Sequence, residues 1–341
     1  YTTLFRSIGT LFTAAFIAAV LVTAAGLAAY RPLFGMLHVP APAMEDACGY
    51  MKIICYGTVF VFGYNAVCSI LKGLGDSKSP LYFVAVATVI NIVLDLLLVG
   101  PFGMGTEGAA CATIFSQGIS FVISVFHLKR TDFVFDFQLS HFAVKTDKLA
   151  AILKIGLPTA AQMVVVNLSY LLITGMLNQF GVSVAAASGV GLKINTFAGM
   201  PCWAIGQAVT AMAGQNIGAG DTIRLRKTTS TGLCLNLFIT LVMVLLVQIF
   251  GKQLILLFTP ASPEVLAEGI VYLRICCGVN SLVYAAMYTF DSFAIGTGAA
   301  TIALFNALLD AVIVRLPVSW LLAFPLRLGY PGIYKIGRAH V

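Results

Sequence analysis

Charged residues are scarce in this sequence. Asp, Glu, Lys and Arg make up only 10% of its 341 residues, whereas 60% of the residues are hydrophobic. A soluble domain has about 25% charged residues, so this chain lacks the polar groups that would cover its surface in water. The composition excludes a soluble domain and predicts a protein that is dissolved in a lipid bilayer.

The signatures of bound metal, nucleotide and nucleic acid are also missing. The eight cysteines form no CxxC pair, and nearly all lie within or at the ends of apolar stretches, so we interpret them as small packing residues. No GK[ST] loop follows a strand pattern. The net charge of +7 is not gathered into a basic cluster with interleaved aromatics. We therefore expect no metal, no cofactor, no catalytic residue and no nucleic-acid partner.

The hydrophobic residues form long, unbroken stretches. A helix of about 20 residues spans the ~30 Å hydrocarbon core of a bilayer. The sequence contains nine complete stretches of this length, and a tenth begins near Tyr330. The nine complete stretches lie at 8–30, 52–72, 81–100, 107–128, 151–178, 183–215, 229–250, 268–292 and 296–324. The alternating strands of an outer-membrane barrel are not seen in the sequence. The predicted fold class is all-α, a polytopic helical membrane protein with about nine complete transmembrane helices in this chain.

Basic residues are concentrated in alternate loops between these stretches. By the positive-inside rule, the richer loops should be cytoplasmic. Their basic residues are Lys72, Lys78, Lys129, Arg130, Lys145, Lys148, Arg224, Arg226 and Lys227. The longest polar connection, 129–148, is therefore predicted to be cytoplasmic in a multi-pass protein of a bacterial inner (cytoplasmic) membrane.

The sequence repeats itself at an offset near 222 residues. The matching segments are 31–57 with 252–278, 71–83 with 294–305, and 103–110 with 327–334. The offset covers about six helices, an even number, so both copies should cross the membrane in the same direction. This pattern predicts two six-helix lobes that arose by parallel internal duplication.

The repeat also predicts how the chain is divided. Moved back by the offset, the helices at 151–178 and 183–215 would fall before residue 1, so we expect an intact protein of twelve helices, of which this chain lacks about the first two and most of the last. The expected parts are a partial N-terminal lobe of four helices at 8–128, an inter-lobe loop at 129–148 and a C-terminal lobe at 149–335. Under one choice of codons, residues 1–7 and 336–341 translate the two strands of a short-read sequencing adapter, and we interpret them as such.

Five motifs follow one another along essentially the whole chain. They are ILKGLGDSKSP (70–80), NIVLD (91–95), GLPTAAQ (156–162), GMPCWAIGQAVTAMAGQNIGAGD (199–221) and RLP (315–317). Together they resemble the multidrug and toxic compound extrusion (MATE) family of transporters. The resemblance implies two lobes around a central cavity, and antiport by alternating access in which an inward Na⁺ or H⁺ gradient drives small organic cations out. The expected partners are those cations and membrane lipid, and the protein is expected to act as a monomer.

The same resemblance assigns structural roles to motif residues. These are Gly73, Gly75, Asp76, Asp95, Pro158, Gln215, Asn216, Gly218, Arg315 and Pro317. The chain departs from the family pattern where some members carry a Glu in the helix after GLP, because this sequence has Val166 there. The acid that members commonly use on the first helix of the N-terminal lobe would lie before this chain. Ion coupling through the C-terminal lobe must then use other residues.

Asp291 is the strongest candidate for that role. Tyr284, Tyr288 and Asp291 share one helical face, and Met287 is adjacent. A carboxylate flanked by aromatic rings suits an organic cation, and a desolvated carboxylate suits proton exchange. The alternative interpretation is a residue at a helix end that faces the cytoplasm.

Polar residues on other apolar stretches complete the set of cavity candidates. They are Gln162, Asn167, Tyr170, Thr174, Asn178, Lys193 and Gln207. The residues from 167 to 178 form one stripe at helical spacing, which either lines a cavity or makes hydrogen bonds between helices. Pro158 is interpreted as marking a helix entry, and a functional bend is the alternative.

The other intramembrane acids are Asp95 and Asp310. Asp95 lies near the end of a span, where a structural partner is expected. Asp310 and Arg315 are five residues apart, too far around an ideal α-helix for an ion pair. We therefore expect RLP to mark a helix end, with Arg315 reaching towards the membrane surface.

Two alternative functions stay open at the level of sequence. A lipid-linked saccharide flippase would have a similar number of helices but more charged residues along its cavity. GLGD (73–76) resembles the GxGD segment of intramembrane aspartyl proteases, although no Tyr-Asp dipeptide supplies a second acid. The sequence favours a transporter over an enzyme.

Overall fold

A computed structural model of the protein describes residues 2–36, 41–130, 142–258, 262–278 and 280–336. Nearly all of these residues are helical and none of them forms a strand, so the all-α class is confirmed. The helices are α1 (Thr2–Met36), α2 (Ala41–Gly73), α3 (Lys78–Val99), α4 (Gly105–Arg130), α5 (Thr146–Asn178), α6 (Val182–Gly218), α7 (Thr222–Phe258), α8 (Pro263–Cys276), α9 (Asn280–Gly296), α10 (Ala300–Leu308), α11 (Leu316–Ala323) and α12 (Tyr330–Ile336). A π-helical turn, Leu309–Arg315, joins α10 to α11.

By length and composition, seven helical stretches of the described chain could cross a membrane, one of them running from α10 through the π-helical turn to α11. The number is eight if α8 and α9, which meet at 50°, form one broken span. Nine spans were expected, and the difference is α6, which forms where 183–215 was predicted but is not apolar enough to be counted. Since α6 packs against α7, α8 and α9, less of its surface has to be apolar than in a helix that faces lipid.

The chain divides into two compact units, residues 1–152 and 153–341. In unit 1, α2 packs against α1 and α4, and α4 packs against α3. In unit 2, α6 packs against α7, α8 and α9, and α11 packs against α12. The greater part of the predicted cytoplasmic loop, 131–141, lies outside the described residues, as do residues 1 and 337–341 of the predicted adapter ends.

Small residues let α4 pack closely in unit 1. Every fourth position along its buried face is small: Gly108, Ala112, Ser116, Ser120 and Ser124. Ser120 Oγ donates to the Phe83 carbonyl of α3 at 3.1 Å. In lipid there is no hydrophobic force between helices, so close contact of small residues and hydrogen bonds of this kind hold them together.

The predicted repeat recurs in the backbone of the loops. Gly75 and Gly298 both have positive φ, +92° and +86°, and they are 223 positions apart. The same two hydrogen bonds close both turns: Gly75 N to Lys72 O and Asp76 N to Leu71 O in the first copy, Gly298 N to Ile295 O and Ala299 N to Ala294 O in the second. The duplication inferred from sequence is therefore visible as equivalent loop geometry.

The next pair of loops repeats as well, at an offset of 224. Gly103 has φ +62° and its counterpart Arg327 has φ +52°, the one positive value at a non-glycine residue in the described chain. The matching hydrogen bonds are Phe102 N to Leu97 O with Leu326 N to Leu321 O, and Met104 N to Leu98 O with Leu328 N to Leu322 O. Between the two loops, the second copy thus contains one residue more than the first.

Asp76 begins α3 by capping its first turn. Its Oδ1 accepts from the backbone N–H groups of Lys78 and Ser79 at 3.1 and 3.0 Å, and its Oδ2 accepts from the Ser79 hydroxyl at 2.6 Å. The Ser79 hydroxyl and backbone N–H lower the pKa of Asp76 from its ordinary value. This use explains the GLGD segment as a helix start.

We expect Asp76→Ala to lower the free energy of unfolding by roughly 0.5–2 kcal/mol, because helix N–H groups lose their acceptor. Asp76→Asn keeps an acceptor and is the matched control, with a loss of a few tenths at most. Since the native pKa is lowered, the stability from Asp76 is present above about pH 4 and fades as the pH falls below it. Thermal unfolding in detergent measures both variants, and equal losses for Ala and Asn would contradict the capping role.

Candidate functional site

Asp291 lies on α9 in unit 2 and is only 2% exposed. Its Oδ1 accepts a hydrogen bond from Asn306 Nδ2 at 2.9 Å, and its Oδ2 accepts one from Gln162 Nε2 at 3.3 Å. No Lys or Arg of the described residues forms an ion pair with it. Asp291 is therefore a buried acid with amide partners and no counter-charge, which does not fit an exposed residue at a helix end.

Two tyrosines stand on the same helix, one and two turns before Asp291. The rings of Tyr284 and Tyr288 stack, with centroids 5.7 Å apart and planes 27° apart. Trp203 of α6 donates its indole N–H to the Tyr284 hydroxyl at 3.0 Å. Met287 lies between them in sequence and is half-buried. The structure thus places an aromatic wall next to the acid.

Close contact between α6 and α9 fixes the Tyr288 ring. A Cβ atom on Gly206 would clash with that ring and would lie 2.6 Å from Ser292 Oγ. A Cβ atom on Gly296 would likewise clash with the backbone of Thr210, whose hydroxyl donates to the Ser292 carbonyl at 2.9 Å. The two glycines let the helices approach until backbone meets backbone.

The break between α8 and α9 is satisfied by a side chain of α7. Gln248 Nε2 donates to the carbonyl oxygens of Leu273 and Cys277 at 3.0 and 2.8 Å. About three turns earlier on α7, the fully buried Asn236 donates to Thr289 Oγ1 at 2.9 Å. Polar groups of α7 therefore contact both α9, the helix that carries Asp291, and the break that precedes it.

The buried face of α5 differs from the predicted polar stripe. Its buried positions are Ser169, Ile173 and Leu177, and Gln162 lies two turns before Ser169 on that face. The predicted stripe lies mostly on a different side of α5 from these buried positions. Asn167, Thr174 and Asn178 are exposed, Asn167 donates to Met163 O of its own helix at 2.7 Å, and Tyr170 is half-buried. Whether the stripe lines a cavity stays a prediction.

The remaining candidates, on α6, are exposed on the surface of the described chain. Lys193 and Gln207 are exposed, as is Met200 between them. At the end of α6, Asn216 Nδ2 donates to Thr228 Oγ1 of α7 at 2.9 Å, and Asp221 Oδ1 accepts from the Arg224 N–H at 2.8 Å. Gln215 and Gly218 are exposed in the last turn of α6. The GQNIGAGD motif thus builds the α6–α7 turn.

Two expectations about motif residues are wrong. Arg315 does not reach towards the surface: it is fully buried, and its Nη2 donates to Asp310 Oδ2 at 2.6 Å. The π-helical turn brings residues five apart together, which ideal α geometry would not, and Pro317 follows at the start of α11. Pro158 lies inside α5 instead of at its entry, because the polar residues from Thr146 onward are already helical.

In unit 1, the Oδ1 atom of Asp95 is buried and has no hydrogen-bond partner among the described residues. The same is true of the Nδ2 atom of Asn91, one turn earlier on α3. The structural partner expected for Asp95 is therefore not found in the described chain. Asn91 was missed from the sequence, and so were Asn306 and Trp203. A polar residue inside an apolar span was the available signal for Asn91 and Asn306.

The sequence of the chain also matches a known protein family. The family model MatE matches residues 1–97 and 158–321, more than half of the chain. The chain belongs to the MatE family. The resemblance read from the motifs is thereby confirmed, and the protein is a multi-pass member of a transporter family.

Individual MatE relatives differ in how much of their length they share. "Probable multidrug resistance protein YpnP" of Bacillus subtilis (strain 168) is 35% identical over 251 residues, which cover 74% of this chain and 56% of that protein. "Probable multidrug resistance protein NorM" of Thermotoga maritima is 27% identical over 320 residues, covering 90% of this chain and 68% of that protein. The chain thus spans little more than half the length of YpnP.

A solved structure shares the MatE fold. It is entitled "Outward-facing conformation of a multidrug resistance MATE family transporter of the MOP superfamily", with a TM-score of 0.89 and 21% identity. The match covers 98% of this chain and 75% of that one. At this identity the likeness establishes the fold.

We expect Gly206→Ala to destabilise this MatE protein by about 1–3 kcal/mol, because the new methyl group overpacks the Tyr288 ring and the Ser292 side chain. Gly199→Ala is the matched control, two turns earlier on α6, since its Cβ would meet only Trp203 of the same helix at 3.8 Å, an ordinary contact. The apparent melting temperature in detergent measures both. A Gly206→Ala protein as stable as Gly199→Ala would contradict the described contact.

Proposed function

We propose that this MatE protein is a secondary antiporter that exports small organic cations in exchange for inward Na⁺ or H⁺, by alternating access of two lobes. It acts as a monomer in a bacterial cytoplasmic membrane, with lipid around it, and uses no cofactor and no catalytic residue. The relatives named for multidrug resistance support the substrate class, and the family supports transport.

One observation carries the proposal, the buried and uncompensated Asp291. Removing a carboxylate from water is costly unless a positive charge or a proton accompanies it. Asn306 and Gln162 donate one hydrogen bond each to the carboxylate oxygens. These bonds meet part of its hydrogen-bonding capacity but do not neutralise its charge. A proton, a Na⁺ ion or an organic cation would each supply what is lacking, and competition between them for one acid is the simplest form of antiport.

The aromatic wall favours an organic guest. Cations are attracted to the faces of aromatic rings, and the attraction is stronger where water is excluded. Tyr284 is held by Trp203, so the wall is preorganised before a ligand arrives. A flat or bulky organic cation can contact these rings and Asp291 together, whereas Na⁺ or H⁺ needs the carboxylate alone.

Asp95 is the second acid that we assign to coupling. Its buried Oδ1 and the buried amide of Asn91 are unpartnered within the described chain, so this part of α3 also favours a bound cation or proton. The assignment replaces the purely structural role that its position near a span end predicted.

We expect Asp291→Asn to abolish gradient-driven export of ethidium by the intact protein in liposomes, with expression unchanged, because Asn keeps the shape and loses the charge. Loss of a charged contact of more than ~1.5 kcal/mol corresponds to more than about tenfold in affinity. Asp221→Asn is the control, since Asn also caps a helix, and should export at the parental rate. Export at that rate by Asp291→Asn would refute the role of Asp291.

Two substitutions of Tyr288 should distinguish the contribution of its ring to ethidium binding from that of its hydroxyl group. Tyr288→Phe keeps the ring face, so we expect less than about a twofold change in ethidium affinity. Tyr288→Ala removes the face, and a loss of roughly 0.5–2 kcal/mol, about two- to thirtyfold, follows from the usual strength of cation–π contacts. Binding is measured by fluorescence of the purified protein. Equal affinities for Phe and Ala variants would mean that the ring does not contact the cation.

A further inference from the structure

The π-helical turn between α10 and α11 carries a buried ion pair. Arg315 is fully buried, and its Nη2 donates to Asp310 Oδ2 at 2.6 Å. Short π-helical turns inside α-helices are rare and often lie at functional sites. Buried ions in membrane helices are costly and commonly functional. A costly ion pair in a rare type of turn is therefore expected to have a specific role.

The internal duplication indicates how the turn arose. The loop before α3 repeats at an offset of 223 and the loop after it at 224. In the first copy the intervening helix, α3, is α-helical throughout, and in the second copy the π-helical turn interrupts it. One inserted residue, absorbed as this turn, accounts for both facts. Because each residue turns an α-helix by about 100°, the insertion also changes which residues face the rest of unit 2.

The guanidinium group of Arg315 contacts two residues of α5. Its Nη1 donates to Ser169 Oγ at 3.4 Å, and its central carbon lies 5.3 Å from the centroid of the Tyr170 ring. Ser169 is 1% exposed and lies two turns after Gln162 on the buried face of α5. The contact with Arg315 and the contact of Gln162 with Asp291 therefore hold α5 at two heights on one face.

These contacts link three helical segments through polar side chains. Gln162 and Ser169 come from α5, Asp291 from α9, and Asn306, Asp310 and Arg315 from α10 and the π-helical turn. Asn306 and Asp310 are one turn apart along their helix, which places them on one side. The charges of Asp310 and Arg315 cancel, so Asp291 supplies the whole net charge of the set. Arg315 can thus hold α5 without offering Asp291 an unneutralised cation.

We propose that Arg315, held by Asp310 across the π-helical turn, is a positioning residue that sets the place of α5 and thereby of the Gln162 amide at Asp291. Its relevance to transport rests on the proposed function of Asp291, whereas its effect on α5 does not. A lysine could keep the pair with Asp310 but would lack the planar fork that reaches Ser169 while lying over Tyr170.

The first test measures the position of α5 directly. Nitroxide labels are placed at Leu168 of α5 and Phe305 of α10, both exposed, in the intact protein with its accessible native cysteines replaced by serine. The variant is Asp310→Leu with Arg315→Met, which exchanges the pair for apolar groups, a change that folded proteins often tolerate. We expect the distance distribution from pulsed electron resonance to shift or widen by about 3 Å or more, roughly two residues' rise along a helix. A distribution that coincides with the parental one overturns the proposal.

Two further variants keep this test decisive. Arg274→Met removes an exposed arginine of α8 and should leave the distribution unchanged. If the double variant does not fold, Arg315→Lys decides, because it retains the charge: a shifted or widened distribution supports the proposal, and a parental one overturns it.

The second test measures coupling between Arg315 and Gln162 through ethidium affinity. In the parental protein we expect Gln162→Ala to change the dissociation constant by at least about fivefold. In the double variant the same substitution should change it less than about twofold, since the amide is no longer held at Asp291. Equal effects in both backgrounds overturn the positioning role. If Asp291→Asn leaves ethidium binding unchanged, the proposed function fails by itself, and the distance measurement still decides the role of Arg315.

Discussion

A carboxylate without a counter-charge, enclosed by apolar helices, sets the main constraint on unit 2. Asp291 can be kept there because amide donors from two different helices meet its two oxygens. Those donors are useful only if α5, α9 and α10 keep their positions. The glycine contacts between α6 and α9, and the polar contacts of α7 with α9, serve that requirement. The site is thus a property of the whole helical unit.

The duplication shows that this requirement arose in one copy. At the offset of 223, Asp291 corresponds to Cys68 and Asn306 to Phe83, and both of these are buried in the apolar core of unit 1. Unit 1 therefore packs hydrophobic side chains where unit 2 places an acid and its amide. The helices that carry the polar pair are also the irregular ones, with a break before α9 and a π-helical turn after α10. A repeated scaffold has accommodated an acid where its backbone departs from the repeat.

The sequence predicted what local pattern determines, and missed what depends on packing. Long apolar stretches gave the helices, and spacing of three and four residues brought Tyr284, Tyr288 and Asp291 to one face. The motifs identified the family. The same spacing rules failed for Arg315 because they assume 3.6 residues per turn, and a single inserted residue changes that count locally. On α5 the sequence marked Gln162 and Tyr170, which contact Asp291 and Arg315, but missed Ser169, because one small hydroxyl among apolar neighbours gives little signal.

Asp291 and Asp310 of unit 2 are therefore stabilised in opposite ways. Asp310 has a permanent counter-charge five residues away, so its ionisation does not require a ligand and its charge is not free to attract one. Asp291 has neutral donors only, so its charge is balanced only when something enters. A neutralised pair suits a fixed joint between helices, because it resists exchange with ions from solution. An unneutralised acid suits a site that must bind one cation and release it to another, because each occupant relieves the same cost. Asp310 lies one helical turn after Asn306 and Arg315 contacts α5, so the pair can hold both donors of Asp291 while adding no net charge that would compete with its ligands.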